Sequence, residues 1–277
     1  MLFPASAKLA SPATTPIGCV SVQDEEILRY SRHLILPEIG TLGQEAITKA
    51  RVLVVGAGGG LGSAACLYLA ASGVGTLVAA DGDVVELSNL QRQVIHDTQA
   101  LGLAKVDSLA KTLLRLNPHV EVQGRHVRAD ESSALSLAEN ASVVLDCTDC
   151  FSSRYAVNRA CLFLGVPLVS AACVRFSGQI SVFDFRNPAS PCYECLYPDK
   201  GEGGDGACQS QGVFAPLPGI LGAMQAAEAL KIITGAGEPL LGRVLFFDAL
   251  KMETKTVRLV RDPLCPACAG NGQRKKL

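Results

Sequence analysis

Val52-Leu53-Val54-Val55-Gly56-Ala57-Gly58-Gly59-Gly60-Leu61-Gly62 is the stretch on which the fold turns. Four consecutive apolar residues, rich in β-branched valine, predict a strand buried on both faces. The glycines predict a tight turn that feeds a helix from Ser63 to Ala71, and a second strand ends at Asp81. Strand, glycine turn, helix and strand-end acid make the half-site that holds a nucleotide. Phosphate sits at the helix N-terminus and ribose hydroxyls on the carboxylate. Just beyond lies Ser88-Asn89-Leu90-Gln91-Arg92, a basic element that a plain dinucleotide site does not need.

The alternation continues along the chain. Strand 76–80, helix 103–116, strand 120–124, helix 131–139, strand 142–146, helix 153–164 and strand 167–172 follow in order. Short Val/Leu-rich runs separated by helical segments predict a parallel, doubly wound α/β sheet of Rossmann-like type. The pattern changes near Ser177, where Ile180, Val182, Phe183 and Phe185 alternate like an antiparallel strand. A long helix (216–234) and two more strand candidates (244–247 and 254–260) complete it. Ahead of the first strand, Asp24 to Leu36 reads as one helix ended by Pro37, and Gly43 to Lys49 as another. The expected organisation is a single domain over 23–270, mostly parallel with antiparallel C-terminal strands. A disordered tail is expected over 1–22 and a short tail over 271–277.

Of 277 residues, 48% are apolar and 18% charged, enough to bury a sizeable core. A net charge of −1 excludes a nucleic-acid footprint over the whole chain. No apolar run reaches the roughly 18–20 residues of a membrane span. Met1 to Val20 has no apolar h-region and only Lys8 as charge, which argues against a secretory signal, and a transit peptide needs more arginine. The expected location is therefore the cytoplasm. There, eleven cysteines argue for metal binding, catalysis or burial rather than a disulfide framework.

Cys192-Tyr193-Glu194-Cys195 and Cys265-Pro266-Ala267-Cys268 are the two C-x-x-C pairs. Together they predict a closed four-cysteine zinc knuckle, structural because four thiolates leave no open position. Arg92 and Lys105 supply more positive charge than a pyrophosphate requires and suit a triphosphate. Lys105 stands at a helix start, where a cation is disfavoured unless an anion is close. Asp149 follows strand 142–146 at the carboxyl edge, where it can position Mg²⁺ on a nucleotide or cap the next helix. Cys208 lies in a glycine-rich polar segment, either as an exposed nucleophile or as an incidental thiol.

Taken together, Leu28-Arg29-Tyr30-Ser31-Arg32, the glycine turn, Asp81-Gly82-Asp83, Ser88 to Arg92, Asp146-Cys147-Thr148-Asp149, Gly178-Gln179-Ile180 and both cysteine pairs resemble the MoeB/ThiF/HesA family. This family is related to the ubiquitin-activating E1 enzymes, and the resemblance runs from about Glu25 to Cys268. It implies ATP-dependent adenylation of the C-terminal glycine of a ubiquitin-like sulfur carrier ending in Gly-Gly. Pyrophosphate is released, and a separate sulfurtransferase (rhodanese or cysteine desulfurase) then supplies sulfur for a thiocarboxylate. By residue match, Gly58 and Gly60 lie at the phosphates and Asp81 holds the ribose. Asn89, Arg92 and Lys105 line the triphosphate, and Asp149 organises Mg²⁺. Asp83, Ser88, Leu90, Gln91 and Cys150 complete the nucleotide-contacting set. Arg32 matches an arginine that reaches into a partner subunit's site, which implies a homodimer. Cys208 matches a loop cysteine that some members use for an acyl or persulfide intermediate.

Two departures stand out. The family's usual turn is G-x-G-G-L-G, and this chain has one more glycine between Gly58 and Leu61, expected to bulge the phosphate loop. Cys150 replaces the usual asparagine after Asp149. Two other functions compete. A nicotinamide- or flavin-dependent oxidoreductase uses the same half-site, though Arg92, Lys105 and the cysteine pairs count against it. A catalytically weak scaffold for a ubiquitin-like partner has the extra glycine as its ground.

Overall fold

The computed structural model describes residues 24–199 and 211–269. The expected tails and Cys208 lie outside the described residues. Three helices, α1 (Asp24–Arg29), α2 (Ser31–Leu34) and α3 (Gly40–Lys49), precede β1 (Arg51–Val55). Then come α4 (Gly60–Ala71), β2 (Thr76–Ala80), α5 (Lys105–Leu116), β3 (Glu121–Arg125), α6 (Ala134–Ala138), β4 (Val143–Asp146), α7 (Phe151–Leu164) and β5 (Leu168–Val174). The remainder is β6 (Ser177–Phe183), α8 (Tyr193–Leu196), α9 (Pro216–Thr234), β7 (Arg243–Asp248) and β8 (Glu253–Arg258).

The strands form one eight-stranded sheet in the order β3-β2-β1-β4-β5-β6-β7-β8. Pairings are parallel from β3 to β5 and antiparallel from β5 to β8, as the change of pattern near Ser177 predicts. Successive side chains of β1 point to opposite faces. Val52 and Val54 join a core with α3, α4, α5 and α9, while Leu53 and Val55 join one with α6, α7 and α8. Both faces of β1 are thus covered, which is why its sequence is continuously apolar. Among the described residues no helix is long and apolar enough to cross a membrane.

The structure departs from the expected elements at three places. The helix expected over 24–36 is broken at Tyr30, whose buried hydroxyl accepts from Asn117 Nδ2 at 2.9 Å while Asn117 also donates to the Ala70 carbonyl. The helix expected over 131–139 starts later, at Ala134, because Asp130 accepts from the amides of Ser132 and Ser133 in a turn ahead of it. The first cysteine pair lies on a short helix, α8, that no apolar periodicity announces.

Gln225 on α9 is fully buried and fastens that helix to the parallel half of the sheet. Its Nε2 donates to the carbonyls of Asp146 (2.8 Å) and Val169 (3.1 Å), and its Oε1 accepts from the Cys147 thiol at 3.2 Å. Each such bond contributes about 1 kcal/mol net, so Gln225→Leu is expected to lose about 2–3 kcal/mol in denaturant unfolding. An unchanged midpoint contradicts this anchoring role.

Candidate active site

At the point where the strand order reverses, β1 lies between β2 and β4, and ligands of such sheets bind beyond the carboxyl ends there. Gly56 leaves β1 with φ +75°, and a Cβ on it would lie 2.7 Å from the Cys147 carbonyl oxygen. Only glycine allows the turn to pass so close to β4. Gly59 closes it, donating to the Gly56 carbonyl at 3.0 Å, and stands as the N-cap of α4 with no side-chain cap. The first amides of a helix have no partner within it and carry its positive end. Here that end opens on a cleft of about 290 Å³.

Gly60, Asp81, Asp83, Gln91, Arg92, Lys105, Asp149 and Cys150 line this cleft, so most of the expected set converges. Gly58, Ser88, Asn89 and Leu90 do not line it. Gly58 turns the other way: its amide donates to Asp81 Oδ2 at 2.9 Å and its carbonyl accepts from His96 Nε2 at 3.1 Å. Gly59 and Gly60, the two glycines between Gly58 and Leu61, line the cleft. Ser88 and Asn89 end a 3₁₀ turn, Leu87–Asn89, whose Ser88 carbonyl accepts from Arg92 Nη1 at 3.2 Å. Arg32 is exposed on α2 and is not part of the cleft wall of its own chain.

Asp81 is 7% exposed, and burial raises its carboxyl above the usual value against the nearby Lys105 charge. Its other oxygen accepts from the Asp83 amide at 3.0 Å, so Asp81 holds the loop as well as facing the cleft. Lys105 is nearly buried at the first position of α5, and its Nζ lies 3.1 Å from Asp83 Oδ2. The anion that this position demands is thus Asp83. Arg128 reaches the same carboxylate, Nη2 to Oδ1 at 2.8 Å. Against the upward push of partial burial, Lys105 and Arg128 hold the Asp83 carboxyl below its usual value.

Across β4, Asp146 is consumed structurally by Thr148 and Ser170 (2.6 Å and 2.8 Å to the hydroxyls). Asp149 stays exposed on the cleft wall, and the N-cap place of α7 falls to Cys150 instead. Arg154, almost fully buried, donates to the Thr148 carbonyl and sits 6.0 Å from the centre of the Tyr193 ring.

Sequence reading missed Arg128, Gln93 and His96, and gave Thr148 no role of its own within its motif. Arg128 lies just past the carboxyl end of β3, a position that the edge rule applied to every parallel strand would have picked out. Gln93 is 4% exposed on the cleft wall, and among the described residues its Oε1 has no partner, which leaves an acceptor for a ligand.

The four paired cysteines meet at the far end of α7. Sγ–Sγ distances are 3.8 Å (Cys192–Cys195), 3.6 Å (Cys192–Cys265) and 3.5 Å (Cys195–Cys268), and all four lie within 4.8 Å. A tetrahedron with metal–sulfur bonds of about 2.3 Å has edges of about 3.8 Å, so the quartet fits zinc. Arg261 ties the second pair down by donating to the Cys268 and Pro188 carbonyls. Glu194, 1% exposed inside the first pair, takes a two-pronged bond from Arg159 of α7 (3.0 and 3.1 Å).

The chain belongs to the ThiF family, whose match spans residues 30–267. A SAMP-activating enzyme E1 of Haloferax volcanii is 44% identical over 254 residues, covering 91% of this chain and 93% of that protein. A molybdopterin-synthase adenylyltransferase of Salmonella typhimurium is 43% identical over 247 residues, covering 89% and 98%. Among solved structures, E. coli MccB with ATP superposes with a TM-score of 0.76 at 26% identity, covering 87% of this chain and 75% of that one. The resemblance read from the motifs is borne out for the family and for the fold.

The Asp83 pairs generate a test of stability. A carboxyl depressed below 3.8 contributes stability that is present above that value and is lost as pH falls through the lower folded value. Asp83→Asn is expected to lower Tm at pH 7, with a loss on the order of 1 kcal/mol because half the carboxylate is solvated. The gap to wild type should close toward pH 3. A gap that stays constant with pH contradicts the ion-pair account.

Proposed function

We propose that this cleft binds ATP and that the protein adenylates the C-terminal carboxylate of a ubiquitin-like sulfur carrier ending in Gly-Gly. The observation that carries this reading is the convergence of an uncapped helix N-terminus with Arg92 and Lys105 on one cleft wall. That is more positive charge than a dinucleotide pyrophosphate uses and suits a triphosphate. The names of the two relatives, both activating or adenylylating enzymes, support the same chemistry.

The acceptor needs no strong base. A terminal carboxylate, with a pKa of about 3.5, is already ionised at neutral pH. One of its oxygens attacks the α-phosphorus, a new O–P bond forms, the bond to the β-phosphate oxygen breaks, and pyrophosphate leaves. Positioning and charge neutralisation are what the protein must supply. Arg92 and Lys105 do this at the β- and γ-phosphates, with the α4 amides of Gly60 and its neighbours. Lys105 exchanges Asp83 for phosphate oxygens as the nucleotide enters. Asp81 holds the ribose through the lone pairs its two amide bonds leave open. Mg²⁺ neutralises phosphate charge when bound, and Asp149 is the carboxylate we assign to it.

Three further parts belong to this reading. Arg32, exposed and outside its own cleft, completes the site of a second copy, so the active form is a homodimer. Zinc occupies the cysteine quartet as a structural ion. A separate sulfurtransferase, a rhodanese or a cysteine desulfurase, supplies sulfur to the acyl-adenylate, with Cys208 as the carrier of an intermediate. A thiol-rich chain of this kind fits the cytoplasm.

The test is exchange of labelled pyrophosphate into ATP, measured with and without Gly-Gly carriers of the molybdopterin, thiamine and tRNA-thiolation types. Exchange that depends on at least one carrier is expected, and none with any of them overturns the function. Lys105→Ala should lower kcat/KM by about 100-fold or more, the scale for losing one preorganised charge donor. Freshly purified protein should hold one zinc per chain, and Cys265→Ser should lose both the metal and thermal stability. A metal-to-chain ratio near zero in wild type, prepared without chelators, rules out the zinc assignment.

A further inference from the structure

Gly58 is held at both of its backbone polar groups, by Asp81 at the amide and by His96 at the carbonyl. His96 is 7% exposed and comes from the segment between Arg92 and α5. Its second nitrogen, Nδ1, lies 2.8 Å from the Ser108 hydroxyl on α5. A carbonyl oxygen only accepts, so Nε2 carries the proton. In the neutral ring Nδ1 is then the acceptor, and the Ser108 hydroxyl donates to it. Burial, with Lys105 close by, lowers the imidazole pKa below 6.5, which agrees with a neutral ring. His96 thus joins the glycine loop to the helix that begins with Lys105.

Three successive glycines, Gly58 to Gly60, have no side chains to restrict them and sample both signs of φ when left to themselves. Something outside the loop must select one conformation. Backbone bonds from the Gly56 and Ala57 amides to the Ala80 carbonyl fix the loop's start, and the two side-chain bonds on Gly58 hold the first of the three glycines. We propose that His96 is the positioning residue of the phosphate loop: by holding the Gly58 carbonyl it keeps that glycine off the cleft wall and leaves the Gly59–Gly60 corner presented to phosphate. This rests on the reading of the cleft as an ATP site. It assigns the fixing of Gly58 at the head of the glycine run to one imidazole, and the charge-bearing residues keep their roles.

The consequence is selective for phosphate. Asp81, assigned to the ribose, keeps its bond from the Asp83 amide when His96 is replaced, so loosening the loop should weaken triphosphate and pyrophosphate binding and spare AMP. His96→Leu removes the donor at similar volume, and His96→Gln keeps an N–H able to reach Gly58. Calorimetric binding of ATP, pyrophosphate and AMP, together with pyrophosphate exchange, would be compared across these variants and Ser108→Ala. In His96→Leu the Kd for ATP and pyrophosphate should rise about tenfold, the scale of one lost hydrogen bond, with AMP within about twofold of wild type. His96→Gln should recover most of the ATP affinity. Ser108→Ala, which frees the ring to take the other tautomer, should shift the ATP-to-AMP preference in the same direction by about two- to threefold.

Wild-type ATP affinity in His96→Leu overturns the proposal, as does equal weakening of ATP and AMP, or a glutamine variant no better than leucine. If the leucine variant does not fold, Ser108→Ala decides, and an unchanged ATP-to-AMP preference there overturns it. Wild-type protein that neither binds ATP nor exchanges pyrophosphate refutes the ATP site itself and is distinguishable from all of these results.

Discussion

Backbone meets backbone where β1 ends against β4, and a Cβ on Gly56 would stand 2.7 Å from the Cys147 carbonyl. That close approach lets the chain reverse into α4 directly at the carboxyl edge of the sheet. It also aims the helix N-terminus at the crevice between β1 and β4. The cores on either side serve to keep this junction in place. Gln225 locks α9 to the carbonyls of β4 and β5 beneath it, and alternate residues of β1 are buried in opposite layers. Move the junction and the helix end, Arg92 and Lys105 no longer face one volume.

Charge in the cleft is arranged around a stand-in. A nearly buried lysine at a helix N-terminus is doubly unfavourable, since burial and the helix dipole both oppose its charge. Asp83 offsets this and at the same time holds Arg128. On the proposed reading the carboxylate holds the place of a phosphate, and the basic groups are already oriented around it. Preorganisation of this kind reduces what must be reordered on binding. The cysteine quartet acts at a distance, tying the C-terminal residues to α7 through Glu194 and Arg159.

Much of this was legible in the residues, because the relevant signals are local. Val52 to Gly62 carries its strand, turn and helix within one short window, and the switch to antiparallel pairing after Ser177 shows in side-chain alternation. The cysteine quartet is legible because C-x-x-C spacing is itself the geometry. What escaped depends on partners remote in sequence. The break at Tyr30 depends on Asn117, 87 residues further on. The direction in which Gly58 faces is set by Asp81 and His96, neither of which the glycine pattern mentions. Of the three successive glycines, Gly58 lies off the cleft wall while Gly59 and Gly60 line it. Arg128 belongs to no motif, and only its place just past the carboxyl end of β3 marks it.

The central claim is that a protein carboxylate attacks the α-phosphorus of ATP in this cleft. It is tested most directly by preparing a Gly-Gly carrier with oxygen-18 in its terminal carboxylate. The carrier is incubated with the protein, ATP and Mg²⁺, the product is released with a thiol or amine nucleophile, and the AMP is examined by mass spectrometry. The account predicts one labelled oxygen in AMP and none in pyrophosphate or phosphate. Label in inorganic phosphate, or AMP formed without label, would contradict it.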